Sequence, residues 1–301
     1  MLLSVFRETY SVSMTADEKS QQSGPALSPI HAWHYDMLID NVRNEFYEKI
    51  IRENVRDKIV LEIGAGSGIM SVLAIRHGAK QVICCEKNPL LAMAAELLFK
   101  RLGLSDKITI IKQYSTEIPT DAIPKVDVVL HEIFASDPFA EDVIHSLRDA
   151  KRFMKPDAIF LPEGIQLVYQ AVRGHALRQE LKYAGIELTE MTQLLGQVHP
   201  ALRNNQNPGF PNKTYFLPKV TMESLVKNSY DYLETNPDLI GVDAIELTYK
   251  IYHGATEMQA APFGLLAENR HWSTIFFYKT NLNTDQLQFS LENDEMKLAV
   301  N

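Results

Sequence analysis

A chain of 301 residues, 46% hydrophobic and 23% charged, has a globular composition and the length for one large domain or two modest ones. Its formal net charge of −8 argues against nucleic-acid binding through phosphate contacts and suits a basic substrate. Cys84 and Cys85, the two cysteines, are adjacent in an apolar run, which gives neither a disulfide framework nor a metal site and fits a reducing, cytoplasmic setting.

The opening Met-Leu-Leu-Ser-Val-Phe is broken by Arg7 and Glu8, so no signal-peptide pattern is read there, and no apolar run reaches membrane-spanning length. Residues 11–28 are rich in Ser, Gln and Thr, and residues 1–28 are expected to form a disordered tail. From about His31 to Ile51 the pattern predicts a helix, with Leu38, Val42, Phe46 and Ile50 as its apolar stripe. Met37, Asp40 and Arg43 lie beside that stripe at spacings of three.

From Lys58 to Leu161 strand and helix alternate. Strands are predicted at Ile59–Ile63, Gln81–Cys85, Ile108–Ile111, Val126–Leu130 and Ala158–Leu161. Helices are predicted at Ile69–Arg76, Leu90–Leu102 and Glu141–Met154. Apolar strands spaced by helices imply a parallel sheet covered on both faces. After Pro162 the texture becomes mostly β, with strands at Gln166–Val172, Ala244–Tyr252 and Ser273–Tyr278. The sequence thus divides into a cofactor-type α/β domain over 29–161 and a β-rich domain over 162–301, with an arm or insert near 183–218.

Two features carry the chemistry. Val60-Leu61-Glu62-Ile63-Gly64-Ala65-Gly66-Ser67-Gly68 is a glycine-rich strand-to-helix turn of the kind that cradles a nucleotide cofactor. Glu86 ends the next strand, 18 residues beyond Gly68, where an acid holds ribose hydroxyls. A dinucleotide dehydrogenase shares both features. Glu62 and the single Rossmann-like half favour S-adenosylmethionine. The second feature is the pair Glu132 and Glu141, nine positions apart in His-Glu-Ile-Phe-Ala-Ser-Asp-Pro-Phe-Ala-Glu, which reads as a clamp for a planar cation beside the cofactor.

These residues resemble the protein arginine methyltransferases. His34-Tyr35-Asp36-Met37-Leu38-Ile39-Asp40-Asn41-Val42-Arg43 is similar to the family's helix over the cofactor, Val60–Gly68 to its cofactor loop, and Glu132 with Glu141 to its double-glutamate loop. Arg270-His271-Trp272 is similar to its Thr-His-Trp loop, with Arg in place of Thr. The loop around Glu132 is nearer the monomethylating (type III) branch, which carries Glu-Leu-Phe-Asp-Thr-Glu there.

The resemblance implies a Rossmann-like S-adenosylmethionine-binding domain followed by a barrel-like β domain. It implies methyl transfer to an arginine guanidino nitrogen of a protein or peptide, with S-adenosylhomocysteine as product. Arg43, Met37, Glu62, Gly64, Gly66, Gly68, Glu86, Ser115, Thr116 and Glu117 would contact the cofactor. Glu132 and Glu141 would bind and polarise the guanidinium, Asp40 and His271 would relay the proton, and Phe134, Asp137 and Trp272 would line the acceptor site. A homodimer is implied as well. The sequence departs from the family in lacking a clear Tyr-Phe-x-x-Tyr motif before His34, and only 29 residues follow Trp272, which implies a barrel either abbreviated or truncated. A small guanidine acceptor, and a non-catalytic module that kept the fold, are the competing readings.

Overall fold

The computed structural model describes residues 33–172, 182–187, 213–227, 230–242, 244–263, 271–278, 283–292 and 294–300. The expected tail, most of the expected insert, and Arg270 lie outside these residues.

Two helices come first, α1 (Trp33–Ile39) and α2 (Asn41–Asn54). The sequence predicts one helix here. It is broken because Asp40 is extended (φ −72°, ψ 91°) and caps α2, its carboxylate accepting from the Arg43 amide at 3.0 Å. Such a cap satisfies a donor that a helix start leaves unpaired. The break also turns the buried face. Arg43, Phe46, Tyr47, Ile50 and Ile51 point inward, whereas Leu38 and Val42 are 41% and 49% exposed.

The α/β half follows as β1 (Ile59–Ile63), α3 (Ile69–Arg76), β2 (Gln81–Cys85), α4 (Pro89–Arg101), β3 (Ile108–Ile111), β4 (Val126–His131), α5 (Val143–Ala150) and β5 (Met154–Leu161). All four strand pairings are parallel, in the order β3-β2-β1-β4-β5. The chain runs outward from β1 to β3 and then returns to β4 on the other side of β1. This reversal opens a crevice at the carboxyl ends of β1 and β4, the usual ligand position in such sheets. Helix α5 is shorter than its pattern predicts. Asp142 takes a left-handed φ of 55° just before it, and its far end tightens into a 3-10 turn over Lys151–Phe153.

The β half comprises β6 (Gly164–Val172), β7 (Lys182–Tyr183), β8 (Ile186–Glu187), β9 (Thr214–Phe216), β10 (Val220–Thr221), helix α6 (Met222–Lys227), β11 (Asp231–Thr235), β12 (Ala244–His253), β13 (Thr256–Gln259), β14 (Ile275–Tyr278), β15 (Gln286–Glu292) and β16 (Glu295–Val300). Its spine is the long antiparallel pair of β6 and β12, from Gly164 opposite Tyr252 to Val172 opposite Ala244. β13 and β14 share the far edge of β12, while β9 and β10 pair with β6, and the sheet curls as a half-barrel. Residues after Tyr278, beyond the last predicted strand, form β15 and β16, which join β11 in a three-stranded sheet.

Hydrophobic residues of both halves form one continuous core. At the surface, Arg148 of α5 donates to both oxygens of Asp294 at 2.7 and 2.8 Å and to the Val226 carbonyl at 3.1 Å. The helix after the glutamate loop is thereby fastened to the β half.

Candidate active site

The crevice between β1 and β4 gathers the glycine turn, Glu86, Arg43 and the glutamate loop. Gly64, Gly66 and Gly68 all take left-handed φ values, which L side chains rarely adopt. At Gly64 a Cβ would stand 2.6 Å from Cγ2 of Ile133, so the turn lies hard against the glutamate loop. At Gly66 a Cβ would meet nothing within 4 Å, so the backbone there faces open space.

Glu86 is buried, and each of its oxygens accepts a backbone amide at 2.7 Å, from Gly66 and from Asn88. A carboxylate has about four acceptor positions, so room for hydroxyl donors remains. Glu62 is buried and accepts from the Ser71 hydroxyl of α3; burial is the main cause that raises its pKa to about 7. Ser115, Thr116 and Glu117 form a 3-10 turn beyond β3, and Arg152 holds it by donating to the Ser115 and Thr116 carbonyls at 3.4 and 3.5 Å. Across from that turn, Lys87 lies over the Tyr114 ring at 4.9 Å.

The centre of the site is a buried chain of charges. Arg43 Nη2 donates to Glu132 Oε2 at 2.6 Å, His271 Nε2 lies 3.7 Å from Glu132 Oε1, and His271 Nδ1 lies 3.1 Å from Asp40 Oδ2. Asp40 and Arg43 are 0% and 2% exposed. Buried ions need such partners. Burial opposes ionisation of Glu132, but Arg43 and the hydrogen bond with His271 outweigh it and hold its pKa below the usual carboxylate range. Burial likewise opposes the charge on His271, but hydrogen bonds to Asp40 and Glu132 raise its pKa. Arg43 stays charged because Glu132 more than offsets its desolvation.

Glu141 stands differently. It is exposed, and no hydrogen bond reaches it from the described residues. Protein still surrounds it closely enough that desolvation raises its pKa, with Glu132 adding repulsion and Lys87 opposing. Of the residues assigned to the acceptor site, Trp272 is buried and its indole donates to the Phe134 carbonyl at 2.9 Å. The Phe134 ring is buried between His131 and Tyr249. Asp137 caps its own turn, accepting from the Phe139 amide at 3.0 Å. Met37 is buried at the end of α1, next to Asp40.

Sequence reasoning missed the tyrosines that hold this site. The Tyr47 hydroxyl donates to the His131 carbonyl at 3.2 Å and the Tyr249 hydroxyl to the Ala135 carbonyl at 2.6 Å. Tyr47 lies one helical turn beyond Arg43, and that spacing could have found it. Nothing local marks Tyr249.

The residues fit a nucleotide cofactor with an amino-acid end. Arg43 Nε and Ser67 Oγ are buried without a hydrogen-bond partner, and both border the open space at Gly66 or the glutamate it supports. Such orphan donors call for a polar ligand. Among the described residues no cluster of side chains could hold a metal ion.

Comparison with known proteins agrees with this geometry. A family profile described as Ribosomal protein L11 methyltransferase (PrmA) matches residues 45–191, a stretch that contains the whole parallel sheet. An Arginine N(omega)-methyltransferase of Streptomyces achromogenes subsp. streptozoticus is 36% identical over 161 residues, 52% of this chain and 44% of that protein. A Protein arginine N-methyltransferase 1 of Oryza sativa subsp. indica is 32% identical over 151 residues, 49% of this chain and 38% of its own length. The match to these curated relatives thus spans less than half of their length. In fold, the structure titled Trypanosoma brucei PRMT1 enzyme-prozyme heterotetrameric complex with AdoHcy superposes with a TM-score of 0.71 at 20% identity, over 89% of this chain and 92% of that one. By sequence over about half of its length the chain is similar to arginine N-methyltransferases, and through both halves it shares the fold of a solved one.

Proposed function

We propose that the protein is an arginine N-methyltransferase, which transfers a methyl group from S-adenosylmethionine to a guanidino nitrogen of arginine in a protein or peptide. The observation that carries the reading is the buried chain Arg43–Glu132–His271–Asp40, set at the crevice with Glu141 on the same loop. Bound there, S-adenosylmethionine would supply a methyl group on positively charged sulfur, which keeps the bonding pair when the methyl leaves.

The chain's own residues do the rest. Arg43 offers its free Nε to the ligand's carboxylate while holding Glu132, and Glu86 takes the ribose hydroxyls. A guanidinium is planar, protonated and a poor nucleophile. Glu132 and Glu141 bind it by charge-assisted hydrogen bonds and draw its positive charge toward themselves. The remaining nitrogen then recovers electron density facing the methyl group, and positioning and electrostatics supply most of the rate. That nitrogen sheds one proton. His271 receives it through Glu132, because Nδ1 is committed to Asp40 and Nε2 faces the glutamate.

The loop sequence Glu132-Ile133-Phe134-Ala135-Ser136-Asp137 supports a single methyl per arginine, and amino-acid analysis of the product tests this. Tyr35, Leu38 and Val42, exposed on α1 and α2, support a homodimer, which light scattering would reveal. A second reading, free arginine as acceptor, is favoured by the 36% identical relative, whose name specifies arginine and not protein arginine.

The test is calorimetric titration with S-adenosylhomocysteine, then incubation with labelled S-adenosylmethionine and either an Arg-rich peptide or free arginine. Binding with label on the peptide is expected. Label on free arginine alone would replace the first reading by the second, and absence of binding would end both.

A further inference from the structure

We propose that Tyr249 is a positioning residue, its hydroxyl serving as the latch by which the β half fixes the loop that carries Glu132 and Glu141. The proposal rests on reading that loop as the guanidinium clamp. Three successive loop residues take hydrogen bonds from the β half. The Trp272 indole donates to the Phe134 carbonyl at 2.9 Å, the Tyr249 hydroxyl to the Ala135 carbonyl at 2.6 Å, and the Ser273 amide to Ser136 Oγ at 3.0 Å.

These donors are not equivalent. Trp272 and Ser273 precede β14 on an irregular stretch. Tyr249 lies within β12, opposite Leu167 of β6 on one side, and on the other its carbonyl accepts the Ala260 amide at 2.8 Å. A residue bonded on both edges of a central strand is among the last to move in local opening. Its ring is 1% exposed and lies 5.9 Å from Phe134 and 6.1 Å from Trp272, centre to centre. Burial and the surrounding acids hold the phenol well above its usual pKa, so it remains a donor.

The latch acts on one part of the loop. Ala135 is three residues past Glu132 and six before Glu141. Glu132 has its own ties to Arg43 and His271, whereas Glu141 has none among the described residues. Phe139 is buried in the core and α5 starts two residues past Glu141, so Tyr249 is one of several anchors and fixes the stretch from Phe134 to Ser136 on the Glu132 side of Glu141. Removing its hydroxyl leaves a buried carbonyl without its donor and lets the loop shift, which harms transfer while leaving the cofactor cradle alone.

The experiment compares Tyr249→Phe with Tyr169→Phe. Tyr169 is also fully buried, on the neighbouring β6, but its hydroxyl bonds to Glu234 and Asn236. In Tyr249→Phe we expect kcat to fall about ten- to a hundredfold, as ångström-scale misplacement does. The Kd for S-adenosylhomocysteine stays within about twofold, since only a step beyond cofactor binding is affected. Amide exchange across residues 133–140 quickens about tenfold or more as local opening becomes easier. Tyr169→Phe loses a comparable amount of Tm and keeps both kcat and loop exchange. Equal kcat losses in the two variants, unchanged loop exchange in Tyr249→Phe, or a matching loss of cofactor affinity would each overturn the proposal. If the wild type methylated no guanidine, the functional reading would fall, and the exchange comparison alone would still decide whether Tyr249 fixes the loop.

Discussion

Glu132 and Glu141 leave the same strand end on one loop, yet they occupy opposite physical states. Glu132 is buried, bonded to Arg43 and next to His271, and held ionised by those neighbours. Glu141 is open to solvent, has no hydrogen bond among the described residues, and is pushed toward its neutral form by desolvation and by Glu132. One limb of the clamp is therefore part of the fold, and the other is completed by whatever enters. An arriving guanidinium would supply the countercharge that Glu141 lacks and lower its pKa.

The largest effect on this contrast should come from Glu132→Gln. It leaves the Arg43 guanidinium buried without its anion, a loss of about 3–5 kcal/mol for a broken buried pair. Chemical denaturation should register that loss together with loss of turnover. An unchanged midpoint would show that Glu132 is not built into the fold. Glu141→Gln should cost about a hundred- to a thousandfold in kcat, the scale for one transition-state contact. Its Tm should move by no more than about 2 °C, because an exposed side chain without partners contributes little. A large Tm change there would erase the distinction between the two residues.

A subtler test uses pH. His271 can take a proton only when neutral, and its raised pKa places the rise of kcat with pH above its ordinary 6.5. Asp40→Asn preserves a capping side chain for α2 but removes the charge, and the rise should move to lower pH. The stability linkage has the same sign. The protonated His271–Asp40 pair contributes fully below the unfolded pKa of His, its contribution fades as pH climbs through the raised folded value, and Asp40→Asn should reduce that slope, Glu132 supplying what is left. The smallest structural change is Gly66→Ala. The space is open, so only the left-handed backbone is penalised, by roughly 1–2 kcal/mol. S-adenosylhomocysteine affinity should nevertheless drop about tenfold or more, because the new methyl stands where the ligand must approach. Retained affinity would move the cradle elsewhere.

Much of this was legible locally. The parallel strands announce themselves as short apolar runs, and the glycine turn carries its own backbone requirement. The site residues were nameable because motif and family pattern put them in order along the chain. The break at Asp40 was not legible, because Leu38, Val42, Phe46 and Ile50 keep a helical spacing straight through it and the capping hydrogen bond has no periodicity. The ties of Glu132 were not legible either. Arg43 is 89 residues away and Tyr249 is 114 residues from the Ala135 carbonyl it holds. Strands β15 and β16, by contrast, were legible: Gln286–Glu292 alternates polar and apolar residues at the period of a half-buried strand, and its Leu287, Phe289 and Leu291 are buried. What is not local is the pairing of β15 with β11, which lies more than fifty residues earlier.

The 231 residues between Asp40 and His271 also set an order of events during synthesis. A ribosome delivers the parallel sheet, complete at Leu161, well before His271 emerges, and domains generally fold in the order they appear. A growing chain can thus possess its glycine cradle while its histidine is still to be translated. On the proposed reading, such a half-made protein would hold cofactor but lack its proton acceptor and the latch on its loop, and so would stay silent until His271 had been made.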